Sequence, residues 1–342
     1  MVNPVFPGSF CPPTYGHLDI ATRASRIFER FTIVCSNSDE KSYWFTQDKC
    51  MQLWDSYKLP KNVDVISFGQ ARERGLVGSE LLMIRGIRGG EDYAYESEIM
   101  KYNHEKFEID DFLYLISNPD LMNVSASRAR EMAEQPNLLE LSRVVSPMTV
   151  TALLEYALNI QNLFLVVGRP GAGKSTILEE ICRQDSSSRW INTDNYSDIL
   201  APMAAEHFVG ENIVQLAIER PKELSALIGE QWLSLLARNL DTLRGTRNVF
   251  VEVAYGLAED KKIYRFVGGK VLHMSCSDPG EQRQRILDRQ TPELMPFFDI
   301  IPDLSESRQI TERERLVMTE LETDDDITKT VSKFFERLEV PS

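Results

Sequence analysis

The stretch Gly168-Arg169-Pro170-Gly171-Ala172-Gly173-Lys174-Ser175 follows the apolar run Asn162-Leu163-Phe164-Leu165-Val166-Val167 and precedes Thr176-Ile177-Leu178-Glu179-Glu180-Ile181. The apolar run reads as a buried parallel strand and the segment after it as the opening of a helix. Between them stands G-x-x-x-x-G-K-[ST]. Gly168, Gly171 and Gly173 let the backbone curl until successive N–H groups point at phosphate oxygens. Lys174 is placed to reach the outer phosphates and Ser175 to hold Mg²⁺, with Thr176 in the first turn of a helix whose N-terminus faces the anion. The reading is a nucleoside triphosphate site on an α/β scaffold, and it divides the chain in two.

The rest of the composition bounds the answer. A length of 342 residues suits two domains better than one. With 42% hydrophobic and 26% charged residues the chain has the balance of a soluble protein with real cores. A net charge of −14 argues against nucleic acid as a partner. It leaves room for a small anionic substrate met by local Arg and Lys clusters. The five cysteines, Cys11, Cys35, Cys50, Cys182 and Cys276, are widely spread and include no C-x-x-C. That pattern argues against a disulfide framework and a zinc site, and for a reducing compartment. Residues Met1 to Pro7 lack a basic n-region and are broken by prolines, and no apolar stretch is long enough to span a bilayer. The expectation is a cytoplasmic protein with no membrane partner.

Ahead of the phosphate loop, short apolar runs alternate with amphipathic segments. Strands are expected at Val2–Phe6, Phe31–Cys35, Val63–Phe68, Leu81–Ile84 and Phe112–Ile116. Helices are expected at His17–Glu29, Gln47–Tyr57, Asp92–Lys106, Ser125–Glu134 and near Pro147–Leu158. Such alternation implies a parallel sheet with helices on both faces. The first strand runs into Pro7-Gly8-Ser9-Phe10-Cys11-Pro12-Pro13-Thr14-Tyr15-Gly16-His17, a turn at the carboxyl end of a parallel strand, where α/β sheets place ligands. Gly8 and Gly16 permit close backbone approach to a phosphate. Thr14 and His17, three apart around a helix start, can face one ligand.

Pro7-Gly8-Ser9-Phe10 followed by Thr14-Tyr15-Gly16-His17 resembles the nucleotidyltransferase signature ending in T-x-G-H. Continued through His17-Leu18-Asp19-Ile20-Ala21-Thr22-Arg23-Ala24, the segment is similar to bacterial phosphopantetheine adenylyltransferase. The resemblance recurs at Ile84-Arg85-Gly86-Ile87-Arg88, at Asp92-Tyr93-Ala94-Tyr95-Glu96 and at Val124-Ser125-Ala126-Ser127, and covers most of residues 1 to 159. It implies a Rossmann-like nucleotidyltransferase fold and adenylyl transfer from ATP to 4′-phosphopantetheine, giving dephospho-CoA and pyrophosphate. It also implies that Gly8, Ser9, Phe10, Thr14 and Gly16 surround the nucleotide, that Arg88 and Glu96 hold it, and that Tyr95 shapes the pocket. Such an in-line displacement at the α-phosphorus needs positioning and cations, not a protein nucleophile. His17 would donate to the α-phosphate, and Lys41 and Arg85 would stabilise the transferring group. Ser125 and Ser127, beside a helix N-terminus, suit the departing phosphates. For Lys41 a plain surface lysine fits equally well.

Two positions depart from the family. Cys11 stands where the family usually has aspartate, and Gly69-Gln70-Ala71-Arg72-Glu73-Arg74-Gly75 is charged where the family faces pantetheine. The second departure leaves the acceptor open.

After the phosphate loop, Arg189-Trp190-Ile191-Asn192-Thr193-Asp194 is a strand ending in a carboxylate. Asp194 there could orient or deprotonate a hydroxyl acceptor, or serve as a helix N-cap. Glu252, ending the strand Asn248–Val253, could act on metal-bound water. Arg285 and Arg289, four apart before the loop Thr291–Asp303, suit a lid closing on ATP or a plain charged helix face. With Ala205-Glu206-His207-Phe208 and Asp278-Pro279-Gly280-Glu281, this half resembles dephospho-CoA kinase, which implies phosphorylation of a ribose 3′-hydroxyl. The expected organisation is two Rossmann-like parallel-sheet domains: a nucleotidyltransferase over 1–159 and a P-loop small-molecule kinase over 160–342. The alternatives are another phosphate acceptor, such as nicotinamide mononucleotide with a nucleoside kinase attached, or a nucleotide sensor whose first domain is silent. Homo-oligomers are known among the similar adenylyltransferases.

Overall fold

The computed structural model describes residues 3–37, 41–76, 78, 80–211, 213, 216, 219–253, 267–288, 317–323 and 326–339. It forms two compact units, one of Met1–Glu131 with Arg143–Thr149 and the other of Met132–Ser142 with Val150–Ser342. Each holds one five-stranded sheet.

The first sheet is built from β1 (Asn3–Gly8), β2 (Phe31–Cys35), β3 (Val63–Ser67), β4 (Leu81–Ile87) and β5 (Asp111–Ile116) in the order β3-β2-β1-β4-β5, every pair parallel. Both faces are covered, as near-continuous apolar strands require. Phe6, Ile33, Cys35 and Ile84 pack on one face with Ile20, Ala21 and Ala24 of α1 (Tyr15–Ala24) and Trp54 of α2 (Gln47–Trp54). Val5, Val34, Ile66, Leu81 and Met83 pack on the other with Ala71 of α3 (Phe68–Glu73). The remaining helices of this part of the chain are α4 (Gly90–Phe107), α5 (Ala126–Glu134), α6 (Leu138–Val144) and α7 (Pro147–Ala157).

The alternation read from the sequence holds, with local corrections. Helix α1 starts at Tyr15 because Thr14 caps it, and stops at Ala24, where the Ser25 hydroxyl turns back to the Thr22 carbonyl at 2.8 Å. Strand β4 runs on through Arg85 to Ile87, paired with β5. Helices α3 and α6 add to those expected, and Val2, the expected start of the first strand, lies outside the described residues. Helix α3 carried a signal: Ser67 and Gln70 form a capping box, with Ser67 N–H donating to Gln70 Oε1 at 2.9 Å and Gln70 N–H to Ser67 Oγ at 3.1 Å.

The second sheet comprises β6 (Asn162–Val167), β7 (Ser188–Asn192), β8 (Asn248–Glu252), β9 (Val271–Ser275) and β10 (Met318–Glu322), again all parallel, in the order β10-β9-β6-β8-β7. Phe164, Val166, Phe250, Leu272 and Met274 bury one face against Ile177, Leu178 and Ile181 of α8 (Lys174–Gln184) and Val331 and Phe334 of α12 (Ile327–Glu339). Between these come α9 (Ser197–His207), α10 (Pro221–Thr242) and α11 (Pro279–Asp288). In both sheets the chain departs from a central strand, β1 or β6, first to one side and then to the other. The crevice at such a switch point is where open α/β sheets bind ligands. No described helix is long and apolar enough to cross a membrane.

Candidate functional site

In the first unit a cavity of about 1160 Å³ opens at the carboxyl ends of β1 and β4. Its lining includes the Pro7–Phe10 turn, Gly16, His17, Lys41, Arg85, Arg88, Tyr95 and Ser125. The structure thus brings most of the expected residues of this half onto one surface. Thr14, Glu96 and Ser127 are not on the wall, though Thr14 holds His17 and Glu96 holds Arg85, which are. The lining also includes the apolar and aromatic side chains of Phe68, Leu76, Ile99, Tyr102, Phe107 and Ile109, with Arg72 and Lys106.

The Pro7–His17 turn is held by identifiable contacts. Thr14, 1% exposed, donates its backbone N–H to His17 Nδ1 at 3.0 Å, while its hydroxyl accepts the His17 N–H at 3.3 Å. With Nδ1 accepting, the neutral ring carries its proton on Nε2, the atom left to meet a ligand. Burial, and then the charges of Arg88 and Arg85, hold the His17 imidazole down to about 4, so it is neutral at physiological pH. Phe10 adopts a left-handed φ of 43° and wedges its ring edge-on against His17 at 5.1 Å and Trp54 at 5.3 Å. A Cβ on Gly8 would stand 3.0 Å from that ring, so glycine here serves packing as well as phosphate approach. Gly16 has only ordinary contacts around its missing Cβ, and the space it leaves belongs to the cavity.

Arg85 lies within β4, two residues before its end, and its half-buried guanidinium requires an anion. The one it finds is Glu96 of α4: Nε donates to Oε2 at 2.7 Å and Nη2 to Oε1 at 2.6 Å, while Nη1 reaches the Pro7 carbonyl at 2.9 Å. Glu96, 5% exposed, therefore braces the arginine from behind and does not itself line the cavity. Arg88 is likewise forked onto Asp92, with Nη2 to Oδ1 at 2.9 Å, which holds the Asp92 carboxyl below its ordinary range. Ser125 Oγ accepts the Arg128 N–H at 3.2 Å and so caps α5. Ser127 Oγ accepts from Arg130 Nη2 at 3.1 Å.

In the second unit the loop from Gly168 to Gly173 has the geometry its glycines imply. Gly168, Gly171 and Gly173 have φ of +154°, +77° and +79°. A Cβ on Gly168 would lie 2.3 Å from the Met274 carbonyl oxygen. Gly168→Ala is therefore expected to destabilise this unit by about 2–4 kcal/mol, measured by denaturant unfolding. Lys174 Nζ donates to the carbonyls of Gly168 and Arg169 at 2.8 and 3.2 Å, and Ser175 Oγ donates to Glu252 Oε1 at 3.0 Å. Thr176 lies in the first turn of α8.

Glu252 is 3% exposed, and its Oε2 is buried with no hydrogen-bond partner among the described residues. Burial pushes its carboxyl above the ordinary range, opposed by Lys174 and reinforced by Asp194. Asp194 is exposed in a short 3₁₀ turn whose N-cap is Asn192, Asn192 Oδ1 accepting the Asp194 N–H at 3.0 Å. Arg285 packs on the loop rather than standing off it: Nη1 donates to Thr323 Oγ1 at 3.3 Å and Nη2 to the Thr323 carbonyl at 2.9 Å. Arg289 and the loop 291–303 lie outside the described residues. Ser175 and Glu252 together offer the hard oxygen donors that suit Mg²⁺.

Comparison with known proteins bears on the first unit. The cytidylyltransferase-like family profile matches residues 5–132. A phosphopantetheine adenylyltransferase of Oenococcus oeni is 34% identical over 137 residues, 39% of this chain and 86% of that protein. The chain belongs to the cytidylyltransferase-like family. A second phosphopantetheine adenylyltransferase, of Leuconostoc mesenteroides subsp. mesenteroides, is 37% identical over 136 residues, 37% of this chain and 80% of the relative. Among solved structures, NadR protein in complex with NAD and AMP-PNP aligns over 100% of this chain and 97% of its own, at 12% identity and a TM-score of 0.33. The nucleotidyltransferase unit is thus placed by family, and its cavity by geometry.

Several contributing residues escape a reading of the sequence. Arg130 donates to the Cys11 carbonyl at 2.5 Å and ties α5 to the turn after β1. Tyr57 donates its hydroxyl to the Pro13 carbonyl at 2.7 Å. Gln282, 2% exposed, donates to the Pro170 carbonyl at 2.8 Å, and Thr323 Oγ1 to that of Ala172 at 2.8 Å. All are long-range contacts to backbone carbonyls, which leave no periodicity or motif. The Arg85–Glu96 fork is directly testable. Arg85→Ala strands a buried carboxylate and is expected to cost about 3–5 kcal/mol in denaturant unfolding, part of which Glu96→Gln in the same chain restores.

Proposed function

We propose that the first unit transfers the adenylyl group of ATP to 4′-phosphopantetheine, and that the second is an ATP-dependent kinase phosphorylating the ribose 3′-hydroxyl of the dephospho-CoA so made. The observation that carries the first step is the size and mixed lining of the cavity. Its 1160 Å³ exceeds the roughly 300–1,000 Å³ of a single-ligand pocket, and so suits two substrates. The lining groups His17, Lys41, Arg85 and Arg88 fit the triphosphate and the acceptor phosphate. The lining side chains Phe68, Ile99 and Tyr102 fit an acceptor with a long uncharged tail. The relatives named above support the same acceptor. His17 Nε2–H donates to the α-phosphate as a neutral group, and the capped N-terminus of α5 receives the departing pyrophosphate. Lys41 reaches the phosphates from the loop after β2.

In the second unit, Lys174 and the loop amides hold the triphosphate, and Ser175 and Glu252 would hold Mg²⁺, which neutralises phosphate charge when bound. Asp194, beside Glu252 and open to solvent, orients the acceptor hydroxyl. Arg285 supports the loop from outside. The two cations Arg72 and Lys106 in the same lining favour one competing acceptor, a mononucleotide such as nicotinamide mononucleotide. Incubation with ATP, Mg²⁺ and each acceptor, followed by mass spectrometry, separates the readings. Dephospho-CoA proceeding to coenzyme A is the expected result. Product from the mononucleotide alone overturns the acceptor, and dephospho-CoA without coenzyme A overturns the kinase step.

A further inference from the structure

The charged stretch after β3 folds as α3 with Arg74 as its C-cap, and its three charged side chains part company. Arg74 turns back to β3, its Nη1 donating to Asp64 Oδ2 at 2.8 Å. Glu73 is exposed and does not line the cavity, whereas Arg72 does. Among the described residues the Arg72 guanidinium has neither a hydrogen-bond nor an ion-pair partner. One turn before it on α3 is Phe68, also in the lining. Phe68 meets Phe107 of α4 at 6.5 Å between ring centroids, and Phe107 meets Tyr102 at 6.1 Å. Lys106 Nζ stands 5.4 Å from the centre of the Tyr102 ring. At 41%, 50% and 39% exposed, Phe68, Tyr102 and Phe107 keep ring surface open to a ligand. Two carboxylates share the lining, Glu105, which pairs with Lys101 at 3.9 Å, and Glu108. Both flank Lys106 at the end of α4 and offset its charge, so the weight rests on Arg72. Register supplies the distance. Gly8 of β1 pairs with Cys35 of β2, and Cys35 with Ser67 of β3, the residue before α3. Two strand spacings, about 10 Å, therefore separate the Gly8 turn from the start of α3 along the carboxyl edge of the sheet.

We propose that Arg72 is a specificity-determining residue of the first unit, reading a carboxylate that the acceptor carries about 10 Å from its reacting phosphate. Besides the neutral-tailed acceptor above, the unit then takes phosphate monoesters that end in an acid, and prefers them. The inference rests on the adenylyl-transfer reading. The chemistry is unchanged: an acceptor phosphate oxygen bonds to the α-phosphorus of ATP, the α–β bridging bond breaks and pyrophosphate leaves. A guanidinium fork gives a carboxylate two parallel charge-assisted hydrogen bonds, which an amide or a thiol cannot match. The acid sits either on a planar ring, stacked on the open aromatic faces, or at the end of an extended amide chain. Because this wall is partly hydrated, the preference is expected to be about tenfold, above an exposed ion pair and below a buried one.

The test measures kcat/KM for pyrophosphate release from ATP with two matched pairs of acceptors, in the full chain. One pair is nicotinic acid mononucleotide against nicotinamide mononucleotide, the other 4′-phosphopantothenate against 4′-phosphopantetheine. Wild type is expected to favour the acid of at least one pair by about tenfold, and the pair concerned tells whether ring or chain carries it. Arg72→Met is expected to erase that preference, chiefly through KM. Arg74→Met removes the same charge from the C-cap of the same helix, outside the lining, and is expected to keep it. Wild type favouring neither acid overturns the proposal, as does Arg72→Met with the preference intact or Arg74→Met that loses it equally. If no acceptor releases pyrophosphate, the adenylyl-transfer reading fails instead. Calorimetric binding of the same four compounds to wild type and Arg72→Met then decides whether Arg72 reads the acid.

Discussion

His17→Ala is expected to lower adenylyl transfer by about 10²- to 10³-fold, the usual loss for one preorganised donor to developing charge. The ring is held by Thr14 at Nδ1 and by the edge of Phe10, so Nε2–H is aimed before substrate arrives and needs no reorganisation. Because the ring is held down to about 4, it donates as a neutral group throughout the physiological range, and titration of His17 contributes no acid limb to kcat/KM near its ordinary 6.5. Stability carries the same signature. The folded value lies below the unfolded one, so between 6.5 and 4 the unfolded chain binds more protons. The contribution of the neutral ring is complete above 6.5 and is lost as pH falls through about 4. Thermal unfolding followed from neutral to acid pH should therefore fall more steeply for wild type than for His17→Gln. Retention of activity within a few-fold in His17→Ala would remove His17 from the chemistry.

Glu252→Gln is expected to separate stability from activity in the second unit. On the proposed reading its carboxylate shares Mg²⁺ with Ser175, and its loss should cost phosphoryl transfer about 10²-fold or more. Stability should move the other way. Burial raises this carboxyl, so the folded form binds protons more tightly than the unfolded one. Stability from this group is full below the unfolded value of 4.5 and declines as pH rises through the higher folded value. The neutral amide escapes that penalty. Its thermal midpoint should equal or exceed that of wild type, with the gap widening from pH 5 toward neutrality. Kinase activity that survives in Glu252→Gln but is lost in Asp194→Asn would move the essential carboxylate to Asp194. A variant less stable than wild type at neutral pH would show that the buried charge is compensated by a group not identified above.

Much of this molecule was legible in its amino-acid order because the governing interactions are local. The apolar runs that became β1 to β8 announce strands buried on both faces, and their alternation with amphipathic segments dictates parallel pairing. The glycines of the phosphate loop are fixed by positive φ and by close approach to other backbone, constraints written into residue type. Thr14 and His17 cap and fill the first turn of α1 at a spacing the helix itself sets.

What only the tertiary structure decided were the pairings across the fold. Arg85 needed an anion, but nothing local says that it is Glu96 across the strand-to-helix turn rather than a ligand phosphate. Cys11 looks like a simple loss of a carboxylate until the fold brings the Phe45 backbone to its sulfur. Glu252 and Asp194 are both strand-end acids in sequence; the sheet order buries the first beside Ser175 and leaves the second in solvent. Arg285 suits a lid or a plain charged helix face in sequence; only the fold shows that Thr323, just after β10, meets its guanidinium. In each case the deciding partner comes from a different element, and its distance is set by sheet order and helix packing, which no stretch of residues specifies alone.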